Sequence, residues 1–230
     1  MSRPDAPGGA RPPSAGPGGD VRPIDADWAF DRYEAVRHRL PPMPPRLGEP
    51  RHLRDLSALL GEIDLFLLDG FGVLNVGSRP IPGAVERVEQ IRAAGARAVV
   101  LTNAATQPLD AVRAKYAALG FDFAERDIVS SRSVAADAMG RHPSRMRWGA
   151  ATASAADLRG WPGEVHPLGM DPADYERADG FVLRSGDGWS PAMQDLLAGA
   201  LARRARPLLV ANPDIVAPRE EGVEDRKSVV

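Results

Sequence analysis

The sequence predicts an α/β fold, in which a Rossmann-like parallel sheet forms the core and carries an inserted α/β module. Between residues 63 and 139, three short apolar runs that end in polar residues alternate with amphipathic helical segments. This order is typical of buried parallel strands that are joined by right-handed crossovers. A second alternation of apolar and helical segments, between residues 146 and 211, predicts the inserted module.

Length, net charge and cysteine content exclude several kinds of site and partner. The chain has 230 residues, 43% of them hydrophobic, with a net charge of −2 and no cysteine. The length suffices for a core and a smaller domain, and the balanced charge does not favour a nucleic acid or a membrane surface as partner. Disulfides, thiolate nucleophiles and Cys-zinc sites are excluded. Since no apolar run approaches the ~18 residues of a membrane span and no signal sequence is evident, we expect a soluble cytoplasmic protein.

The first 62 residues precede the predicted core. Residues 1–24 are rich in Pro and Gly and poor in large apolar side chains, so we expect a disordered tail. Residues 25–62 are predicted to form N-terminal helices, one over 25–40 and a second over 51–61. The intervening PPMPP ends the first helix, because proline disrupts the backbone hydrogen bonding of a helix.

Residues 63–131 are predicted to contain three parallel strands. The strands are IDLFLLD (63–69), ARAVVLTN (96–103) and IVSS (128–131). Helices are predicted after Pro82-Gly83, from Leu109 to Leu119 and from Val134 to Met139.

Polar side chains stand where each of these strands ends. They are Asp69, Thr102, Asn103, Ser130 and Ser131. Taken singly, a Thr-Asn pair after a strand is often a helix cap, and an acid before glycine is often an ordinary turn. In parallel sheets, however, ligands bind at the carboxyl ends of the strands. Three such ends with compatible groups therefore indicate a ligand site.

The inserted module is predicted from short apolar stretches and helical segments. The stretches are 146–150, 163–166, 180–184 and 207–211, and the helical segments are 153–159 and 191–204. Ser190-Pro191 is a favourable start for the last helix, because serine caps helix N-termini and proline fits the first turn.

Several motifs resemble the haloacid dehalogenase-like hydrolase superfamily, and in particular its class IIA branch of sugar-phosphate, nucleotide and nitrophenyl-phosphate phosphatases. They are FLLDGFGVLN (66–75), IPGA (81–84), VVLTNAAT (99–106) and LLVANPDIVAP (208–218). The resemblance implies that 63–131 is the first part of the family's core and 132–206 a class IIA cap. It further implies that 207–224 is a segment returning toward the core.

The same resemblance implies the chemistry of the site. Asp69 would attack phosphorus and form an aspartyl-phosphate, with Mg²⁺ held by the Asp69 carboxylate and the backbone carbonyl of Phe71. The substrate would be a small phosphorylated metabolite. Neither a nucleic acid nor a membrane is expected as a binding partner. Residues that match the family's phosphate- and substrate-binding positions are Gly72, Thr102, Asn103, Asn212 and Asp214.

Phe71 departs from the family pattern, which has a second aspartate there to protonate the leaving group. Losing general acid–base help costs about 10²–10⁴-fold in rate. One alternative is therefore a non-catalytic member that binds a phosphorylated ligand or a protein partner. Another is dehalogenation, because true dehalogenases carry an aromatic residue at this position. Their cap follows the first motif, however, and the segment between Leu74 and Thr102 is too short to hold it.

The third-motif lysine and fourth-motif acidic pair of the family have no match here, since neither Lys115 nor Lys227 fits. We therefore expect an incomplete core, a C-terminally truncated chain and a non-native tail over 225–230. That tail, DRKSVV, can be back-translated as GAT CGG AAG AGC GTC GTG, which reads like a common sequencing-adapter sequence; chance or a natural truncation is the alternative. The 230-residue chain is expected to be inactive and marginally stable, and its full-length parent to be a phosphatase. A homodimer through the cap is one arrangement that the resemblance allows.

Overall fold

The computed structural model describes residues 25–40, 42, 49, 51–152, 158–186, 188–218 and 223–225. Its helices are α1 (Ala26–Ala35), α2 (Ala84–Ala93), α3 (Leu109–Ala118), α4 (Ser131–Gly140), α5 (Pro172–Arg177) and α6 (Pro191–Arg203). Its strands are β1 (Leu65–Asp69), β2 (Asn75–Val76), β3 (Arg79–Pro80), β4 (Arg97–Thr102), β5 (Ile128–Ser130), β6 (Arg147–Ala151), β7 (Glu164–Pro167), β8 (Gly180–Leu183), β9 (Leu208–Val210), β10 (Val216–Pro218) and β11 (Val223–Asp225). Short 3₁₀ helices cover Arg37–Arg39, Leu56–Leu59 and Glu125–Asp127.

The first sheet has the strand order β1-β4-β5, and all of its strands are parallel. Asp69 pairs with Leu101, and Thr102 pairs with Ser130, so the carboxyl ends of the three strands lie along one edge. The predicted α/β class with a parallel core sheet is confirmed. Beneath the sheet lies a cluster of buried side chains from strands and helices: Phe66, Leu68, Val88, Ile91, Val100, Val112, Tyr116 and Ile128.

The two faces of this sheet differ in burial. Because the strands follow each other in one direction, right-handed crossovers bring α2 and α3 to the same face. Alternate side chains point to the opposite face and are exposed there, namely Leu65, Leu67, Leu101 and Val129. Parallel sheets are normally covered on both faces. Within the described part of the chain, helices cover only one of them.

The second sheet has the order β7-β6-β8-β9 and is also parallel throughout. Both faces are covered, as the central strand β8 shows: Phe181 and Leu183 pack into a cluster with α5 and α6, while Val182 packs into a cluster with α4. Residues 208–210, which the prediction assigned to the return segment, form the edge strand β9 of this sheet. This strand lies within the apolar stretch 207–211 that the alternating pattern assigned to the inserted module; the cap boundary at residue 206 stays a prediction.

Other predictions differ in detail from the structure. The helix expected over 51–61 is a 3₁₀ helix of four residues, and the hairpin β2–β3, helix α5 and hairpin β10–β11 were not predicted. The predicted tail over 1–24 lies outside the described residues, as do 226–230 and most of the helical segment 153–159. No helix in the described part is both long and apolar enough to cross a membrane. The cytoplasmic location stays a prediction.

Candidate active site

Asp69 and Thr102 are the last residues of adjacent parallel strands, so both lie at the carboxyl edge of the first sheet, where Asp69 pairs with Leu101. The Asp69 side chain accepts a hydrogen bond from the backbone N–H of Gly70 at 2.7 Å. The side-chain oxygen of Thr102 accepts one from the N–H of Ala104 at 3.3 Å. The strand-end geometry expected from the sequence is thus present for these two residues.

Ser130, the polar residue at the end of the third strand, is engaged in a helix cap. Its hydroxyl accepts from the N–H of Ser133, and the Ser133 hydroxyl contacts the N–H of Ser130, which forms a capping box at the start of α4. Ser130 is also buried. For this residue the ordinary helix-cap interpretation accounts for the polar side chain.

After Asp69 the backbone closes into a tight loop. The carbonyl of Gly70 accepts from the N–H groups of Leu74 and Asn75, each at 3.0 Å, and the N–H of Gly72 donates to the Asn75 carbonyl at 2.8 Å. Gly72 has a φ of +83°, in the left-handed region that favours glycine. The loop turns the chain sharply at the carboxyl edge and places the side chain of Phe71 at the surface, where it is 39% exposed.

Tyr116 is a site residue that the sequence analysis did not identify. It projects from α3, and its ring is buried edge-on against Phe121 and Phe123. Its hydroxyl reaches the strand ends, since a Cβ at position 70 would lie 2.5 Å from it. Burial raises the pKa of Tyr116; a hydrogen bond with Thr102 opposes that shift, and the charge of Asp69 adds to it. The only feature of the sequence that could have identified Tyr116 as a site residue is its hydroxyl, on a helix face that is otherwise apolar.

Asn103, Asn212 and Asp214 come together although they are distant in sequence. The Asn103 side-chain amide donates to the Asp214 carboxylate at 2.6 Å, and the Asn212 amide donates to the Asn103 carbonyl at 3.3 Å. The N–H of Asp214 donates to the Asn212 side chain at 2.9 Å. The segment after β9 therefore returns to the carboxyl edge of the first sheet, close to Thr102.

Two buried arginines lie where the module meets the core. Arg132 donates to the carbonyl of Thr106 at 2.6 Å and to that of Arg159, and it stacks over Trp161 with 4.8 Å to the ring centroid. Arg184 follows β8 and donates to the Thr152 hydroxyl at 2.6 Å. Sequence reasoning missed both, because nothing in the local pattern distinguishes them from surface arginines. Arg132 ties the loop after β4 to the inserted module.

Oxygen atoms are the donors that this edge of the sheet offers to a cation. The predicted metal ligands are the Asp69 carboxylate and the Phe71 backbone carbonyl, and hard oxygen donors suit Mg²⁺ rather than zinc. In the residues that the structure describes, no group of three or more His, Cys, Asp or Glu side chains is placed to hold a metal. Mg²⁺ characteristically binds through one or two carboxylates and completes its shell with water and substrate phosphate. The two predicted donors fit that pattern.

Comparisons with known proteins agree with the sequence motifs. A family model described as haloacid dehalogenase-like hydrolase matches residues 66–156. A D-glycerol 3-phosphate phosphatase from Mycobacterium tuberculosis is 32% identical over 173 residues, which are 73% of this chain and 46% of that protein. The chain thus spans about half the length of this curated relative.

Solved structures resemble the fold as well. A glycerol phosphate phosphatase from M. tuberculosis in complex with magnesium has a TM-score of 0.58 at 26% identity, with 73% of this chain and 49% of that chain covered. A possible sugar phosphatase from Cytophaga hutchinsonii has a TM-score of 0.65 at 20% identity, with 77% and 64% covered. The second likeness is evidence for the fold alone. The predicted family resemblance is confirmed.

Proposed function

Because residues 66–156 match the family model of haloacid dehalogenase-like hydrolases, we propose that Asp69 is the nucleophile of a phosphatase that acts on a small phosphorylated metabolite. The observation that supports this proposal is the parallel pairing of β1 with β4, which brings the ends of both strands, Asp69 and Thr102, to the same carboxyl edge of the sheet. An aspartate is ionised at neutral pH, so it can attack without a general base. The relatives suggest a phosphate monoester, such as glycerol phosphate, as substrate.

The reaction divides into two displacements at phosphorus. A carboxylate oxygen of Asp69 forms a bond to phosphorus while the bond to the ester oxygen breaks, and that oxygen takes a proton from water and leaves as the alcohol. Water then attacks the aspartyl-phosphate, which releases inorganic phosphate and restores the carboxylate. Thr102 donates its hydroxyl hydrogen to a phosphoryl oxygen. The loop at Gly72 allows the phosphoryl group a close approach to the backbone.

Asn103, Asn212 and Asp214 border the phosphoryl position in this proposal. The Asn103 side chain is held by Asp214, and its backbone carbonyl is held by Asn212. This arrangement supports a role in fixing the loop after β4 next to Thr102. It also supports a substrate-facing role for Asp214, whose segment comes from the inserted module.

Phe71 sets the reaction's leaving-group preference. An alkoxide needs a proton as it departs, and phenylalanine has none to give, so the proton has to come from water. Esters with a leaving group that is stable as an anion are affected less. We therefore propose that nitrophenyl phosphate is hydrolysed faster, relative to alkyl phosphates, than by an enzyme with an acid at this position.

Mg²⁺ is the cofactor that we propose, held by the Asp69 carboxylate and the Phe71 carbonyl. When bound, it would neutralise phosphoryl charge and so reduce the repulsion between substrate and nucleophile. The chain's own residues carry out the other steps of the reaction. Asp69 supplies the nucleophile, and Thr102 orients the phosphoryl oxygens. A homodimer through the cap stays a prediction.

A non-catalytic protein that binds a phosphorylated ligand is the second candidate, and it is favoured by Phe71, because phenylalanine cannot exchange a proton with a leaving group. Phosphate binding would then be unchanged by Mg²⁺, and no ester would be turned over. Dehalogenation is less supported, because only the β2–β3 hairpin and α2 lie between β1 and β4, while the inserted module follows β5.

The full-length gene product tests these candidates with Mg²⁺ and two substrates, nitrophenyl phosphate and glycerol phosphate. Phosphate release that is lost in Asp69→Asn but retained in Asp122→Asn is the expected result; Asp122 is an exposed aspartate near the opposite edge of the core. Release that persists in Asp69→Asn would overturn the assignment of the nucleophile. Phosphate binding without release would favour the second candidate.

A further inference from the structure

The chain passes between the two sheets twice, and both passages contact the loop after β4, residues 103–106, called the site loop below. In the first passage, from β5 into α4, the backbone N–H of Arg132 donates to the Ala104 carbonyl at 3.1 Å. In the second passage, after β9, Asn212 donates to the site loop and Asp214 accepts from it. The placement of the site loop therefore depends on both connections between the core and the inserted module.

The side chain of Arg132 strengthens the first connection. Its guanidinium donates to the Thr106 carbonyl at 2.6 Å and to the carbonyl of Arg159, which belongs to the inserted module. It also lies over the ring of Trp161, with 4.8 Å from the guanidinium carbon to the ring centroid. Trp161 packs in one buried cluster with Val182 of β8. A single side chain thus contacts the site loop on one side and the module on the other.

Burial fixes the geometry of these contacts. Arg132 is only 6% exposed and Trp161 only 7%. A charged side chain that is removed from water is stable only while acceptors meet its N–H groups. The guanidinium is planar, and its donors form a rigid fork. The acceptors therefore have to stay where the fork points, which limits the positions that the Thr106 carbonyl can take.

The site loop directly follows Thr102, the residue proposed to orient the phosphoryl oxygens. The Thr102 side chain accepts from the N–H of Ala104, and the carbonyl of Ala104 accepts from the N–H of Arg132. Ala105 is 5% exposed, so the site loop is packed as well as hydrogen-bonded. A change in the placement of the site loop therefore changes the surroundings of the Thr102 hydroxyl.

We propose that Arg132 is a positioning residue, which fixes the site loop against the inserted module and thereby keeps the Thr102 hydroxyl placed for an anionic phosphoryl oxygen. This role deepens the proposed function and rests on it. Arg132 acts through the geometry of its donors and not through its charge, because these contacts direct the guanidinium at backbone carbonyls and an indole ring.

The first experiment measures the site loop without any ligand. Amide hydrogen exchange of the 230-residue chain, followed by mass spectrometry, is compared with that of Arg132→Lys and Arg132→Met. Lysine keeps a long stem and the charge but has no planar fork, and methionine also loses the charge. Both variants are expected to quicken exchange over 103–107 by about tenfold, since the loop opens more readily without hydrogen bonds to a charged group. Unchanged exchange there would overturn the inference, and Arg132→Lys decides alone where Arg132→Met does not fold.

Arg206 offers a matched control within the inserted module. Its guanidinium donates to three backbone carbonyls, those of Tyr175, Ala178 and Ala200. It lies over the ring of Phe181 at the same distance of 4.8 Å. These contacts are near the amino ends of β8 and β9, whereas the site loop is reached from the carboxyl end of β9. Arg206→Lys should leave exchange over 103–107 unchanged. Equal quickening there in Arg206→Lys and Arg132→Lys would mean general loosening and would overturn the positioning role.

The second experiment titrates the same proteins calorimetrically with inorganic phosphate. Arg132→Lys and Arg132→Met are both expected to weaken phosphate affinity by about fivefold, and Arg206→Lys is expected to leave it unchanged. A loss in Arg132→Met alone, with full affinity in Arg132→Lys, would show that the charge matters and not the geometry. That result would overturn the inference.

The two experiments separate the inference from the proposed function. If the unsubstituted chain binds no phosphate while exchange over 103–107 still depends on Arg132, the phosphate role of Thr102 fails, and the positioning role fails with it. If phosphate binds with equal affinity in all the proteins, the proposed function keeps its support and only the positioning role is overturned. Weaker binding together with quicker exchange over 103–107, in the Arg132 variants alone, supports both.

Discussion

Asn103 and Asp214 are separated by 111 positions in the sequence, yet the Asn103 amide donates to the Asp214 carboxylate at 2.6 Å. The first residue follows β4 of the core sheet, and the second follows β9, the edge strand of the inserted module. This hydrogen bond therefore joins the module to the proposed phosphoryl site. It gives a physical route by which the inserted module can shape that site.

Removing either partner of this hydrogen bond should cost little stability, and removing both should cost no more. We expect Asn103→Ala and Asp214→Ala each to lower the free energy of unfolding by roughly 0.5–1 kcal/mol, because the contact is partly open to solvent. The double variant should lose about as much as either single variant. Denaturant unfolding measures the three changes, and additive losses would show that the two side chains do not interact.

Phe71→Asp should restore a proton donor. In the full-length gene product we expect the rate of glycerol phosphate hydrolysis to rise by about 10²–10⁴-fold, with a smaller gain for nitrophenyl phosphate, whose leaving group departs as an anion. Phe71→Asn is the matched control, since it has the size of aspartate without its proton chemistry. Equal gains in the two variants, or equal gains for the two substrates, would argue against a missing acid.

Gly72→Ala should strain the loop after Asp69 without any steric clash. The φ of Gly72 is +83° and a Cβ there would meet no atom within 4 Å, so the expected loss of about 1–2 kcal/mol in unfolding free energy comes from the backbone. Gly61 has a φ of +86° and equally open surroundings, and Gly61→Ala serves as the control. Both should lose similar stability, but only Gly72→Ala should weaken inorganic phosphate binding. Unchanged phosphate affinity in Gly72→Ala would remove Gly72 from the site.

Stability should fall in alkaline solution as the buried tyrosines lose their protons. Burial, together with the charge of Asp174, raises the pKa of Tyr175 to about 12, against about 10 for an unfolded tyrosine. The folded state thus holds its proton more tightly, so its stability is full below about pH 10 and declines between about 10 and 12.

The decline should be shallower in Tyr175→Phe, although this variant loses some stability at pH 7 with the hydrogen bond to Gly169. Unfolding free energies measured across that pH range, together with tyrosinate absorbance, test this expectation. A pH profile with the same slope in both proteins would assign the decline to other groups.

The strand-end positions of Asp69 and Thr102 could be predicted because each apolar run ends in a polar residue, and parallel strands align those ends. Tyr116 could not, since a tyrosine on an apolar helix face is usually part of the core, and the direction of its hydroxyl depends on packing. Nor does the sequence show that Asp214 returns to Asn103, because that contact depends on the path of the chain through the second sheet. The alternation of apolar and helical segments did assign the stretch 207–211 to the inserted module, and β9 of its sheet lies there.

The central claim is that Asp69 receives the phosphoryl group. The most direct test is mass spectrometry of the full-length gene product, quenched in acid during turnover of nitrophenyl phosphate with Mg²⁺. The account predicts a phosphoryl adduct on the peptide that contains Asp69, absent from Asp69→Asn and retained in Asp122→Asn. Turnover with no adduct at Asp69, or an adduct that persists in Asp69→Asn, would contradict it.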